Sequence, residues 1–159
     1  MMKTALLLIL ASICYGQTDE KTPQAGPKFY RFDFAVKEID GGKNVSVRNY
    51  SAIANLSVKI RSGDKIAVSA YSGGKQEVTY LDVGTNIDCK IFGERGAEVM
   101  MSVATEISTS NGANLPVISQ TKWESTVMVP LKKPTVIYSS ESTTKKVTTQ
   151  LEVTATPLQ

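Results

Sequence analysis

Residues 78–107, VTYLDVGTNIDCKIFGERGAEVMMSVATEI, alternate apolar and polar side chains along two runs joined by a short polar turn. Ile87, Cys89 and Ile91 fall on one parity in the first run. Val99, Met101, Val103 and Ile107 fall on the same parity in the second. A period of two puts each set on one face of a pleated strand, and no helix can sort residues that way. The stretch therefore reads as an antiparallel hairpin. Pairing Ile91 with Val99 places Cys89 opposite Met101 and Ile87 opposite Val103. It leaves Glu94-Arg95-Gly96 as a three-residue loop, with glycine at the position that takes a left-handed conformation.

The same alternation recurs on both sides. Residues 29–39 put Tyr30, Phe32, Phe34 and Val36 on one face and Arg31, Asp33 and Lys37 on the other. Asp40-Gly41 then reads as a two-residue hairpin turn, setting Ile39 opposite Gly42, Val36 opposite Val45 and Phe34 opposite Val47. Residues 45–60 are long for one strand, and the apolar parity changes near 51–54, from Val45 and Val47 to Leu56, Val58 and Ile60. A bulge or a crossing between sheets is expected there. Ser62-Gly63-Asp64 reads as a turn into Ile66, Val68 and Ala70. Ser72-Gly73-Gly74-Lys75 reads as the next turn. A second parity change between Tyr80 and Val83 predicts another bulge.

After a polar loop at 110–114, Val117, Trp123, Val127, Val129 and Leu131 mark a long strand that Pro130 and Pro134 close. Residues 135–138 form a short strand and 139–146 a polar loop. Val147, Thr149, Leu151, Val153 and Ala155 share the inner face of a last strand. About eight strands, turns every 8–15 residues and no fixed repeat predict an all-β fold. It should be an antiparallel sandwich or a barrel-like pair of sheets.

The N-terminus reads as a signal peptide over 1–16. Lys3 precedes the apolar run ALLLILASI at 5–13, and Cys14-Tyr15-Gly16 supplies the small-x-small cleavage pattern. Lipidation of Cys14 is the alternative, against which Ile13 stands where a small residue is needed. Residues 17–28 form a flexible leader and 29–157 a single domain. Export places the mature chain in the periplasm or at the outer membrane. Cleavage leaves Cys89 as the lone cysteine, a buried thiol on an apolar strand face.

The 159 residues contain no histidine, which removes the commonest general base and transition-metal ligand. The net charge of +3 is spread along the chain, without the basic patch and aromatics of a nucleic-acid surface. Asp82 and Asp88, with Glu94, Glu98 and Glu106, are the candidates for a carboxylate pair or calcium site, but no spacing matches an EF-hand loop. Gly41-Gly42 and Gly73-Gly74 open no helix and read as turns. Trp123 aligns with Val127 and Val129 and reads as core. No catalytic, cofactor or metal residue is assigned.

Three ordered stretches carry a resemblance. Residues 60–68, IRSGDKIAV, look like a glycine turn before a strand. Residues 78–91 place Val83-Gly84 ahead of an alternating run, and 99–108 fit the strand that follows. Leu115-Pro116-Val117-Ile118-Ser119, Thr126-Val127-Met128-Val129 and Thr135-Val136-Ile137 are similar to a proline-led strand and a T-x-V-x-V … G-x-T-V-x-x-G run. Over roughly 45–157 the chain resembles the core β-domain of secretins, the ring-forming outer-membrane subunits of bacterial secretion systems and type IV pili. Pro134 stands at that family's glycine, Ser139-Ser140 replaces its glycine pair, and its V-P-x-L-G-x-I-P-x-L-G-x-L-F segment and periplasmic domains are missing. The resemblance implies a shared sheet topology, self-association or edge pairing to an envelope partner, and no enzyme activity. Three functions follow: a non-catalytic envelope domain working through protein contacts, an outer-membrane pore subunit, or a carboxylate-dependent hydrolase. Polar outward faces disfavour membrane insertion.

Overall fold

The computed structural model describes residues 26–72, 74–110, 117–142 and 146–158. The expected signal peptide and most of the leader lie outside the described residues. So do Gly73, most of the 110–114 loop and part of the 139–146 loop.

Eight strands run in chain order: β1 (Phe29–Asp40), β2 (Lys43–Ala54), β3 (Ser57–Ser72), β4 (Lys75–Arg95), β5 (Glu98–Ser110), β6 (Ile118–Pro130), β7 (Thr135–Glu141) and β8 (Thr148–Leu158). They form two antiparallel four-stranded sheets. Sheet A has the order β2-β1-β8-β7 and sheet B the order β3-β4-β5-β6. The expected antiparallel pair of sheets is the fold observed. β2 lies over β3 at one side of the sandwich, and β7 lies over β6 at the other.

The core sits between the sheets. Tyr30, Phe32, Phe34 and Val36 of β1 and Leu151, Val153 and Ala155 of β8 face Ile87, Cys89, Ile91, Val99, Met101, Val103 and Ile107 of β4 and β5. These are the residues that the alternation assigns inward. Phe32 and Phe34 stack at 6.2 Å between ring centroids, and the Cys89 Sγ lies 3.5 Å from the Met101 Sδ. Tyr30 closes one end, its hydroxyl donating to a Glu94 Oε at 2.9 Å while Lys28 ion-pairs with the other oxygen.

Registers differ from expectation at both hairpins. β4 and β5 are joined by a two-residue turn, with Arg95 opposite Glu98, and a bulge at Phe92 precedes it. Ile91 therefore faces Met101, Cys89 faces Val103 and Ile87 faces Thr105, two residues from the expected pairing. A slip of two keeps every residue on its face, so the core assignment is unaffected. In the first hairpin the turn is Gly41-Gly42, both at positive φ (54° and 80°), with Asp40 opposite Lys43. A bulge at Glu38/Ile39 then brings Val36 opposite Arg48 and Phe34 opposite Tyr50. This slip is odd, and it reverses the face: Val45 and Val47 point to solvent, and Arg48, Tyr50, Ala52 and Ala54 point inward.

The segment at 45–60 crosses between sheets, as one of the two expectations had it, through Asn55-Leu56. The Ser62-Gly63-Asp64 turn does not exist. β3 runs straight through it, and the β3–β4 ladder is unbroken from Ser57↔Lys90 to Ser72↔Lys75, with no bulge near Asp82. What changes there is the neighbour. β4 pairs with β5 only from Thr85 onward, so 64–72 and 75–83 project as a two-stranded arm. The parity change reports the end of the core: the arm shows Tyr80 and Val78 on one face and Leu81 on the other, all exposed.

Candidate functional site

The carboxylates do not converge on a site. Asp82 lies on the arm, 3.1 Å from the Lys65 Nζ, with both side chains more than 70% exposed. Asp88 lies on the outer face of sheet B, 2.7 Å from an Arg61 guanidinium nitrogen. Six residues of strand separate them, about 20 Å at the usual rise. Glu106 pairs with Lys122 at 3.2 Å. Lys28, then Tyr30, hold the Glu94 carboxyl below its ordinary value. A shallow groove of about 360 Å³ crosses this outer face, lined by Arg61, Asp88, Glu106, Lys122 and Glu124. Four of its five charges, Arg61 with Asp88 and Lys122 with Glu106, are committed to ion pairs with neighbours on adjacent strands, the arrangement of a solvated sheet face. Among the described residues no three of Cys, Asp and Glu gather as a metal would require.

Cys89 is buried, and burial pushes its thiol up to about 12. A thiol with that value carries almost no thiolate near neutral pH. Trp123 is at the rim of the core: it is half-buried and its ring lies 5.4 Å from that of Tyr138 across the two sheets. The sequence expectation of a core tryptophan holds in part.

The feature that the topology builds most clearly is a pair of open sides. Each sheet has four strands, all antiparallel, so its two edge strands run in opposite directions. One side of the sandwich presents β2 and β3, and the other presents β6 and β7. Outer edges of such strands carry unpaired N–H and C=O groups that template pairing with another chain. β3 and β6 are long, at 16 and 13 residues. β7 has seven residues and a bulge between Val136 and Tyr138, which blunts its edge. Between the sheets each side is only half closed. Tyr50, Ala52, Ala54 and Ile60 line the β2/β3 side, and Trp123, Val127, Ile137 and Tyr138 line the β6/β7 side, all packed on the core and partly open.

Nothing in the sequence singles out Arg48 or Tyr138. The signal for β2 was present: Arg48, Tyr50, Ala52 and Ala54 alternate in even phase, but the conspicuous valines at 45 and 47 set the phase instead.

No family model and no curated protein matches the sequence. The fold does have relatives among solved structures. The secretin InvG of the Salmonella SPI-1 type III secretion injectisome matches with a TM-score of 0.51 at 8% identity, covering 83% of this chain and 62% of that one. The ETEC pilotin–secretin AspS–GspD complex matches with a TM-score of 0.50 at 12% identity, covering 83% of this chain and 47% of the secretin. The chain has a secretin-like β-domain fold. It spans less than two thirds of the length of those secretin chains.

Proposed function

We propose that this protein is an exported, non-catalytic β-domain of a bacterial cell envelope that works by associating with further copies of itself. The observation that carries this reading is the polarity of the edges. With an even number of antiparallel strands in each sheet, β6 of one copy can pair antiparallel with β3 of the next, and β7 with β2, without reversing either copy. Such a contact is heterologous, and it closes a ring where the rotation per copy divides a full turn with no translation along the axis. The wall so formed has two layers, because each side of the sandwich ends in one strand from each sheet. Lys59 on the outer face of β3 and Glu124 on the outer face of β6 end the same row of sheet B at its two edges, a cation at one and a carboxylate at the other. The secretin-like fold supports the reading, since one of the similar solved structures is a secretin β-barrel.

Native mass spectrometry and electron microscopy of the purified full chain test it. Oligomers of defined size, ring-shaped in projection, are expected. A strict monomer at all concentrations, with no envelope partner in cross-linking, would sink the proposal.

One observation favours a second reading, a pore subunit at the outer membrane. The arm at 64–72 and 75–83 has apolar residues on both faces, with Val78 and Tyr80 50% and 64% exposed. Neither face is covered by β5 or β6. Fractionation separates the two readings: a pore subunit stays with the outer membrane through salt washes, whereas the favoured reading expects release.

A further inference from the structure

We infer that Arg48 of one copy inserts against the Trp123–Tyr138 aromatic pair of the next, and that this contact selects the pairing of sides in the assembly. The inference rests on the self-association proposed above and names what holds it.

The registers place these residues. On the inner face of sheet A one row runs Arg48, Val36, Leu151, Tyr138 across β2, β1, β8 and β7. On the inner face of sheet B one row runs Ile60, Ile87, Thr105, Trp123 across β3, β4, β5 and β6. The ring contact of Trp123 with Tyr138 puts the two rows at the same level on the β6/β7 side. Each row therefore ends at both open sides. One side ends the rows on an arginine in sheet A and an isoleucine in sheet B, and the other ends them on two aromatic rings in contact.

Arg48 is an unusual residue in this place. It lies on the face that holds Val36, Tyr50 and Ala52, yet its side chain is 29% exposed, on a strand that forms the edge of sheet A. One terminal nitrogen donates to a Glu38 Oε at 3.1 Å. Its Nε is buried and, among the described residues, has no hydrogen-bond partner. A guanidinium half-satisfied at the mouth of an apolar cleft is costly alone. Against an aromatic face the guanidinium gains a cation–π contact. Partly desolvated, such a contact is stronger than at an exposed site. A lone aliphatic side chain there would join copies without choosing which sides meet. The arginine–aromatic match favours unlike sides, because two β2/β3 sides would leave each guanidinium, already paired with Glu38, with no ring to face.

Cysteine cross-linking of the full chain tests this directly. Arg48→Cys protein mixed with Tyr138→Cys protein should give a disulfide-linked heterodimer under mild oxidation, and neither variant alone should cross-link to itself. Arg48→Ala and Trp123→Ala should each raise the midpoint concentration of assembly at least ten-fold while the circular dichroism stays native. The double variant should lose little more than either single one, as coupled partners do. An assembling wild type whose Arg48→Ala variant assembles equally well, with no Arg48→Cys/Tyr138→Cys product, would overturn the inference and leave self-association standing. A monomeric wild type would overturn both. Arg48→Lys keeps the charge without the planar fork and should restore only part of the affinity.

Discussion

At the residue scale, the side chains packed between the sheets set both the core and the titration of two groups within it. Burial of Phe32, Phe34, Ile87, Met101, Val103, Leu151 and Val153 follows from alternation alone, since parity fixes the face. Parity does not fix which residue lies opposite, as the displacement of Cys89 from Met101 to Val103 shows. Burial of Cys89 has a measurable consequence. It pushes the thiol from an ordinary 9.0 to about 12. Burial first, then the hydrogen bond to Glu94 and that carboxylate's charge, push the Tyr30 hydroxyl from 10.0 to about 12. Both groups keep their protons in the folded chain at a pH where the unfolded chain has released them. Stability is therefore whole below about pH 9 and declines as pH rises toward 12. Thermal melts across that range should show the decline in the wild type. Cys89→Ala, which lacks the thiol, should show a shallower slope from a lower starting stability. Equal slopes would mean that the thiol is in water. At the acid end the sign reverses for Glu94: its folded value is lowered, so the tie to Lys28 and Tyr30 weakens as pH falls through that value.

At the element scale, turn chemistry decided how much could be read. Both expected turns lay within one or two residues of the real ones. The consequence depended on whether the slip was odd or even. The Gly41-Gly42 turn, both residues at positive φ, combined with the Glu38/Ile39 bulge to turn over β2. The sequence gives two candidate glycine turns at that point, and alternation alone cannot choose between them. The Gly63–Gly84 crossing reads as a turn in the sequence for a related reason. A glycine in a strand looks like punctuation, whereas here it permits a close approach of two backbones. A Cβ added at Gly84 would stand 2.1 Å from the Ser62 carbonyl oxygen, and one at Gly63 would stand 2.3 Å from that of Val83. At this point β4 parts from β5, and the Ser108 hydroxyl oxygen accepts the Gly84 N–H at 2.9 Å in place of a ladder partner. Gly84→Ala should therefore destabilise the chain by about 1–3 kcal/mol, the cost of overpacking that backbone atoms cannot relieve. Gly26→Ala, with nothing within 4 Å, should be close to neutral. Urea unfolding compares them, and equal midpoints would show that the two strands can separate at the crossing without cost.

At the scale of the whole molecule, the fold class was legible and the sheet order was not. Alternation with frequent turns and no helical period leaves few architectures besides stacked sheets. That β1 pairs with β8, more than a hundred residues later, depends on contacts that no local pattern encodes. The two open sides follow from that order and were equally invisible. They also have a thermodynamic consequence. Anything that binds the folded chain and not the unfolded one stabilises it by mass action, and under the proposed self-association a second copy is such a ligand. If neighbours complete the half-closed sides around Arg48, Ile60, Trp123 and Tyr138, the melting temperature must rise with protein concentration. Scans over a hundred-fold range of concentration should show that rise in the wild type. Arg48→Ala, whose sides no longer match, should show a flatter dependence. A wild-type midpoint that does not move with concentration would mean that each copy is complete alone, with its half-closed sides satisfied by solvent.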